Sequence, residues 1–219
     1  MTLEDPVEYP IAMIRQNSVN EAAKLDFASG IRSLMRQDPD IILVGEIRDH
    51  PTAEMAFRAA MTGHQVYSTL HTNSAIGAIP RLLDIGILPD IMAGNIIGIV
   101  AQRLIRILCP LCKSGYLPNE SERRMLGLLD DDGTVIYRAT GCSSCQFRGY
   151  KGRHSIMEVL KIDSDIDELI SRRASMRELK NTALEKGFRP LAQDGIQRII
   201  QGYTSIDEVS RVVDLSDRM

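Results

Sequence analysis

Asp38-Pro39-Asp40-Ile41-Ile42-Leu43-Val44-Gly45-Glu46 is the stretch on which the fold turns. Asp38-Pro39-Asp40 reads as a turn, because these residues favour reversals and a residue before proline is pushed out of the helical region. Ile41 to Val44 follow as an aliphatic, largely β-branched run with no polar alternation, which predicts a buried parallel strand. Gly45 and Glu46 stand at its carboxyl end. Pro51 to Met61 predicts a helix: Pro51 suits a first turn, Ala53, Ala56, Phe57 and Ala60 share one face, and Gly63 ends it. Gln65 to Leu70 predicts the next strand. Strand, helix and strand within about 30 residues form a βαβ unit, so the expected fold class is α/β with a mostly parallel sheet.

Outward from this unit, Phe27 to Arg36 reads as a helix that feeds the first strand. Ala75 to Ile85 and Asp90 to Leu108 read as two more helices. Gly149 to Arg153 reads as a basic, glycine-rich turn. Polar helices are then expected over Asp165–Arg173, Met176–Lys186, Pro190–Gln201 and Ser205–Val213. Ser175 and Thr204 stand at cap positions, and Glu178 completes a capping-box pattern with Ser175.

All four cysteines fall in two pairs, Cys109-Pro110-Leu111-Cys112 and Cys142-Ser143-Ser144-Cys145. Two intervening residues let both sulfurs of a pair point at one tetrahedral ion, and two pairs supply the four ligands of a structural zinc site. Four thiolate ligands close such a site, whereas a catalytic zinc keeps a position for water. The alternatives are four unrelated buried thiols or two disulfides. The 29 residues from Lys113 to Gly141 exceed common zinc-ribbon spacing and must make an excursion of their own. They hold turns at Pro118-Asn119 and Asp130-Asp131-Asp132-Gly133 and a helix-like run from Ser121 to Leu129.

The apolar fraction of 44% and charged fraction of 25% are those of a globular protein, and a net charge of -3 gives no global basic field for nucleic acid. The longest uncharged apolar stretch, Ile91 to Gln102, is 12 residues, too short to span a bilayer. No signal peptide opens the sequence, and reduced thiols point to the cytoplasm. Met1-Thr2-Leu3 runs straight into Glu4-Asp5-Pro6, so the chain is expected to be a piece of a longer protein that begins inside a strand.

In parallel α/β sheets, ligands bind off the carboxyl ends of the strands. Three polar groups fall at such ends: Glu4-Asp5-Pro6-Val7-Glu8, Gly45-Glu46-Ile47-Arg48-Asp49 and His71-Thr72-Asn73. Acidic residues on adjacent strand ends can hold Mg2+ and orient a water, and a nucleoside triphosphatase needs both. A histidine on the next strand end can sense a phosphate. Each group taken singly is also what a solvated charge after a core strand looks like. In order on successive strands they favour a nucleotide site.

With these residues in view, the sequence resembles the ATPases of type II secretion and type IV pilus systems. Leu3-Glu4-Asp5-Pro6-Val7-Glu8-Tyr9 is similar to their aspartate box. The segment from Arg36 to Asp49 is similar to their Walker B segment, which ends in Glu, and that from Gly63 to Asn73 to their histidine box. Ala101-Gln102-Arg103-Leu104, the cysteine pairs, Gly149-Tyr150-Lys151-Gly152-Arg153 and Leu191-Ala192-Gln193-Asp194-Gly195 extend the likeness over nearly the whole chain.

The resemblance implies a RecA-like core over residues 1–107, truncated at its start, a tetracysteine zinc insert over 108–150 and a C-terminal helical subdomain over 151–219. It implies Glu8 as general base and Glu46 as the Mg2+ holder, directly or through water. Glu4, Asp5, Gly45 and Arg48 would lie around the nucleotide, and His71, with His64, would couple the γ-phosphate to the sheet. Arg48 and Arg103 would bind charge at the site or at a subunit contact, unless they are surface salt bridges. The implied cofactors are ATP, Mg2+ and Zn2+. The implied partners are further copies in a hexameric ring and an inner-membrane platform protein with its secretion or pilus subunits, at the cytoplasmic face of that membrane. The cysteines imply the assembly or secretion branch rather than retraction, with the insert projecting from the ring as a docking arm.

Two other functions stay open. One is a zinc-dependent nucleic-acid module using Arg123, Arg124, Arg138, Arg148, Lys151 and Arg153, against which the scarce aromatics and acidic balance speak. The other is a non-enzymatic docking module. The phosphate loop G-x-x-x-x-G-K-[ST] is absent from the sequence. In the family it lies upstream of the aspartate box. Losing its grip on the phosphates costs several kcal/mol in the transition state. The 219-residue chain by itself is therefore expected to hydrolyse ATP no faster than its Glu8→Gln variant. A phosphate-release assay finding turnover above that control overturns this.

Overall fold

The computed structural model describes residues 1–129 and 133–215. In chain order the first elements are β1 (Thr2–Glu4), β2 (Gln16–Ser18), α1 (Phe27–Leu34), β3 (Ile41–Val44), α2 (His50–Met61), β4 (Gln65–Ser68), α3 (Ala78–Ile85) and α4 (Pro89–Met92). Then come β5 (Gly98–Leu108), β6 (Ser114–Tyr116), α5 (Glu120–Leu126), β7 (Ile136–Arg138) and β8 (Tyr150–Lys161). The last are α6 (Ser164–Ser171), α7 (Met176–Glu185), α8 (Leu191–Ile200) and α9 (Ile206–Ser210). The chain forms two compact units, Met1–Ile99 with Lys161–Glu185, and Val100–Leu160 with Lys186–Met219. The helices of the expected C-terminal subdomain thus divide: α6 and α7 belong to the first unit, α8 and α9 to the second. Among the described residues no helix is long and apolar enough to cross a membrane.

The first unit is α/β, as the βαβ pattern requires. Its four strands run parallel in the order β2-β1-β3-β4. Leu3 pairs with Val44, and Val44 with Ser68, so three carboxyl ends align. The chain passes from β1 to β2 on one side and from β3 to β4 on the other. The order therefore reverses between β1 and β3, and beyond such a switch point these sheets bind ligands. Local chemistry starts each covering helix. Asp26 caps α1 by accepting the Ser29 N–H at 2.7 Å, and Asp49 caps α2 by accepting the Thr52 N–H at 2.9 Å. Ile42 and Val44 are wholly buried on the strand that α1 packs against, while α2 packs on α1 and β4. Ile41 and Leu43 are 49% and 38% exposed. β3 therefore alternates instead of being buried throughout, with α1 packed on it.

The second unit pairs β5 with β8, and β6 antiparallel with β7 through Tyr116 and Ile136. Its core joins Leu126 of α5 and Ile136 of β7 to Ala192, Ile196 and Ile199 of α8, Val209 of α9 and Leu215. The segment between the cysteine pairs is thus no free-standing arm, since its apolar side chains share a core with α8 and α9. Helix α5 starts as a capping box, Asn119 with Glu122. The Asp130-Asp131-Asp132 part of the expected turn lies outside the described residues.

Three sequence expectations are corrected here. Asp90 to Leu108 is not a helix but splits into α4 and β5. Within β5, Ala101 and Ile105 are buried while Gln102 and Leu104 are exposed, a period of two. The β-branched Ile97, Ile99, Val100, Ile105 and Ile107 favour that extended form. Gly149 to Arg153 is not a turn throughout, because pairing with β5 draws the chain into β8 from Tyr150. Thr204 does not cap α9. The Ser205 hydroxyl accepts the Glu208 N–H at 3.3 Å, while Thr204 donates to the Arg106 carbonyl at 2.9 Å.

Glu208 is fully buried. It accepts the Arg106 backbone N–H at 2.9 Å, Arg106 Nε at 2.8 Å and Arg211 Nη2 at 2.8 Å. Burial alone would raise its pKa, but the hydrogen bonds from Arg211 and Arg106 outweigh burial and leave it at about 2. A carboxyl depressed in the fold contributes its full stabilisation above its ordinary value near 4.5 and loses it as pH falls from there to about 2. Such a shift corresponds to at most about 3 kcal/mol, because the two half-exposed guanidiniums are partly screened by water. Glu208→Gln is expected to remove this acid limb and to cost about 2–4 kcal/mol at neutral pH. Denaturant titrations from neutral pH downward check both. A variant whose stability curve runs parallel to that of the parent sinks the assignment.

Candidate functional site

Gly45 is where β3 leaves the sheet. Its N–H donates to the Leu3 carbonyl at 2.8 Å, and its own carbonyl accepts from Thr69 Oγ1 at 2.7 Å. A Cβ at this position would stand 3.2 Å from the Leu3 oxygen, so glycine lets β1 and β3 close up. The Ile47 N–H reaches the Thr69 carbonyl at 3.0 Å, which carries the β3–β4 pairing one step further and brings Glu46 beside His71. Glu46 Oε2 accepts His71 Nε2 at 3.0 Å and Arg48 Nε at 2.5 Å. The Glu46 side chain is 15% exposed, those of His71 and Arg48 77% and 65%.

The His71 hydrogen bond, and next that of Arg48, hold the Glu46 carboxyl below its ordinary pKa, so it is ionised at neutral pH. Glu46 in turn raises Arg48, and Asp5 adds a smaller contribution, which brings the end of β1 into the same field. An ionised carboxylate is the hard oxygen donor Mg2+ takes. His71 and Arg48 offer exposed nitrogen donors of the kind that bind phosphate oxygens. The group can thus hold a cation and an anion side by side.

The other expected site residues are more dispersed. Glu4 accepts Thr2 Oγ1 at 2.5 Å and Gln16 Nε2 at 3.0 Å, and these bonds, Thr2 first, lower its pKa. It stitches β1 to β2. Glu8 is exposed beyond β1 and joins neither network. His64 donates Nδ1–H to the Ala59 carbonyl at 3.0 Å, closing the end of α2 next to the amino end of β4, whereas His71 comes after its carboxyl end. Arg103 lies on β5 in the second unit and donates to the Gln102 carbonyl at 3.2 Å. Gly45, Glu46, Arg48 and His71, with Asp5 near, come together; Glu4, Glu8 and His64 stay outside that group. Thr69 went unnoticed in the sequence, although a hydroxyl one step past a strand end is a common anchor for a neighbouring backbone.

The cysteine sulfurs converge. Sγ separations are 3.9 Å for Cys109 and Cys142, 3.8 Å for Cys112 and Cys145, and 3.9 Å for Cys142 and Cys145, with all four atoms within 4.8 Å of one another. A tetrahedral zinc with Zn–S of about 2.3 Å places its sulfurs about 3.8 Å apart, so the set fits. A disulfide needs about 2.05 Å, and all four thiols are free. Backbone N–H groups aim at the sulfurs: Gly141 at Cys112 (3.3 Å), and Cys142 and Gly149 at Cys145 (both 3.2 Å). Gly141 has φ of 108°, and a Cβ there would meet the Phe147 oxygen at 2.8 Å. The Cys142 N–H, aided by that of Gly149, lowers Cys145 to about 6, while burial pushes Cys112 up to about 11. Four thiolates gathered this closely need a cation between them.

Known proteins resemble this chain along nearly its whole length. The family described as Type II/IV secretion system protein matches residues 1–211. Type II secretion system protein E of Pseudomonas aeruginosa is 44% identical over 212 residues, covering 97% of this chain and 42% of that protein. Type IV pilus assembly ATPase PilB of Thermus thermophilus is 45% identical over 210 residues, covering 95% of this chain and 24% of that protein. The chain thus spans less than half the length of these relatives. Among solved structures, the pilus retraction motor PilT with bound ADP matches with a TM-score of 0.69 at 28% identity, covering 97% of this chain and 52% of that one. The Legionella pneumophila ATPase DotB shares the fold, with a TM-score of 0.64 at 22% identity over 96% of this chain and 50% of that one.

One zinc per chain is expected by atomic absorption. Its removal by a strong chelator, or Cys145→Ser, is expected to unfold the second unit's two turns, since structural thiolate sites contribute on the order of 10 kcal/mol. Near-ultraviolet spectra and thermal melts unchanged by chelation would contradict a structural metal.

Proposed function

The chain belongs to the type II/IV secretion system protein family, and on that premise we propose that it supplies part of the nucleotide site of a hexameric motor. The motor hydrolyses ATP to drive pilus or pseudopilus assembly or type II protein secretion. The observation that carries the reading is the Glu46–His71–Arg48 group beyond the switch point of the parallel sheet.

Glu46 is assigned to hold Mg2+, directly or through water, because it is ionised and largely shielded. The bound ion would offset charge on the phosphates. Glu8 is assigned as the general base that polarises the attacking water, for which its exposure leaves it available. His71 exchanges its hydrogen bond to Glu46 for one to the γ-phosphate, so loss of that phosphate is felt at the end of β4. Arg48 supports the same anion, and Gly45 and Asp5 shape the edge. Glu4 and His64 serve the fold beside the site, and Arg103 serves a subunit contact. Zinc has a structural role in the second unit.

Other copies of the chain in a ring, and an inner-membrane platform protein with its secretion or pilus subunits, are the partners, met at the cytoplasmic face of the membrane. Identities of 44% and 45% to secretion and assembly ATPases, against 28% to the retraction motor, support the assembly or secretion branch.

In the full-length protein, Glu8→Gln is expected to lower kcat about 100- to 1,000-fold with nucleotide binding retained. Glu46→Gln is expected to lower it comparably and to raise the Mg2+ concentration needed for half the maximal rate. Steady-state assays across a Mg2+ titration decide. A Glu46→Gln protein with parental turnover and Mg2+ dependence removes the basis of the assignment.

A further inference from the structure

Glu8, assigned above as the base that polarises the attacking water, stands in the connection from β1 to β2, outside any strand or helix. A base works only within hydrogen-bond reach of the water it activates, so this irregular stretch must be held still. Packing does little to hold it, because every residue from Glu8 to Arg15 is exposed. Gln16, the first residue of β2, is half-buried.

Two side chains of β2 reach back to the connection. Gln16 Oε1 accepts the Ile11 N–H at 2.6 Å, and Gln16 Nε2 donates to the Tyr9 carbonyl at 3.2 Å and to Glu4 Oε1 at 3.0 Å. Ser18 Oγ accepts the Val7 N–H at 3.1 Å. A main-chain N–H only donates, and a carbonyl or carboxylate only accepts, so one orientation of the Gln16 amide satisfies all three bonds. Residues two apart on a strand face the same way, which sets Gln16 and Ser18 about 6.8 Å apart on one face of β2. The residues they hold, Tyr9 and Val7, are also two apart, with Glu8 between them. Through Glu4 the same amide is tied to β1, whose register with β3 sets the rim where Glu46 lies.

We propose that Gln16, seconded by Ser18, is a positioning residue for hydrolysis: it fixes the backbone on both sides of Glu8 and so aims that carboxylate at the attacking water. The proposal rests on the reading of Glu8 as the base. A displacement of about 1 Å at such a group costs on the order of 100-fold in rate, so a loosened connection is felt in turnover rather than in binding.

Steady-state ATPase assays on the full-length protein test it as a double-mutant cycle. Gln16→Met keeps the bulk of the side chain and removes its three hydrogen bonds. It is expected to lower kcat about tenfold to thirtyfold, with the KM for MgATP held within about twofold. In the Glu8→Gln background the same change is expected to alter the residual rate by less than about twofold, because no base is left to place. Ser18→Ala is expected to lower kcat about threefold, and Ser18→Thr, which keeps the hydroxyl, to restore it. In the 219-residue chain, Gln16→Met is expected to quicken hydrogen exchange at the Ile11 amide about tenfold and to leave the Leu43 amide of β3 unchanged. A Glu8→Gln protein with parental turnover overturns the proposal through the reading of the base. A slow Glu8→Gln beside an unimpaired Gln16→Met overturns it directly. So does a Gln16→Met loss of equal size in both backgrounds, or one confined to KM.

Discussion

Strands that run parallel all end at one edge, and the first unit depends on that constraint. β1, β3 and β4 pair in a register that puts Leu3 opposite Val44 and Val44 opposite Ser68. The residues just past each strand are therefore delivered to the same rim: Asp5, Glu46 and His71, the last two 25 residues apart in sequence and in hydrogen-bond contact in space. A slip of one residue would reverse the faces and separate them. Gly45 makes the register tight enough to matter, because any side chain there would press on the β1 backbone.

Gathering acids at one edge concentrates negative charge, and the fold offsets it where it arises. Glu46 is covered by His71 and Arg48. The second unit shows the same rule twice. Glu208, fully buried, is met by two arginines, and the four thiols converge to a spacing that suits a metal cation. In each case desolvation would defeat the charge without its partner. The partners differ in what they leave behind. Arginine partners fill the space around Glu208, whereas thiolate ligation would hold two short turns with Leu111 and Phe147 facing solvent.

Much of the site was legible because its signals are local. Turn residues bracket β3, Asp49 and Pro51 start α2, and the two-residue spacing of each cysteine pair is itself a geometric statement. Legibility failed where a local pattern had two outcomes. Ile91 to Leu108 is apolar enough to satisfy either period, and only pairing with β8 settled most of it as a strand. His64 and His71 look alike within one motif. Strand direction separates them, since one precedes β4 and closes a helix while the other lies past its end and meets Glu46.

The sharpest division lies between two copies of one signature. Ser175-x-x-Glu178 and Ser205-x-x-Glu208 share one spacing, although only the first was expected to cap. At the first, Glu178 returns to the Ser175 N–H at 3.0 Å, as the pattern by itself requires. At the second, the hydroxyl caps, but the carboxylate turns to Arg106, 102 residues away. The sequence alone determined strand, helix and strand, the cap at Ser175 and the thiol spacing, because each needs only neighbours within a few residues. Tertiary structure alone decided where the buried carboxylate went and which histidine met Glu46. A charge removed from water takes the partner that best replaces its hydration, and distant partners exist only once the chain has folded.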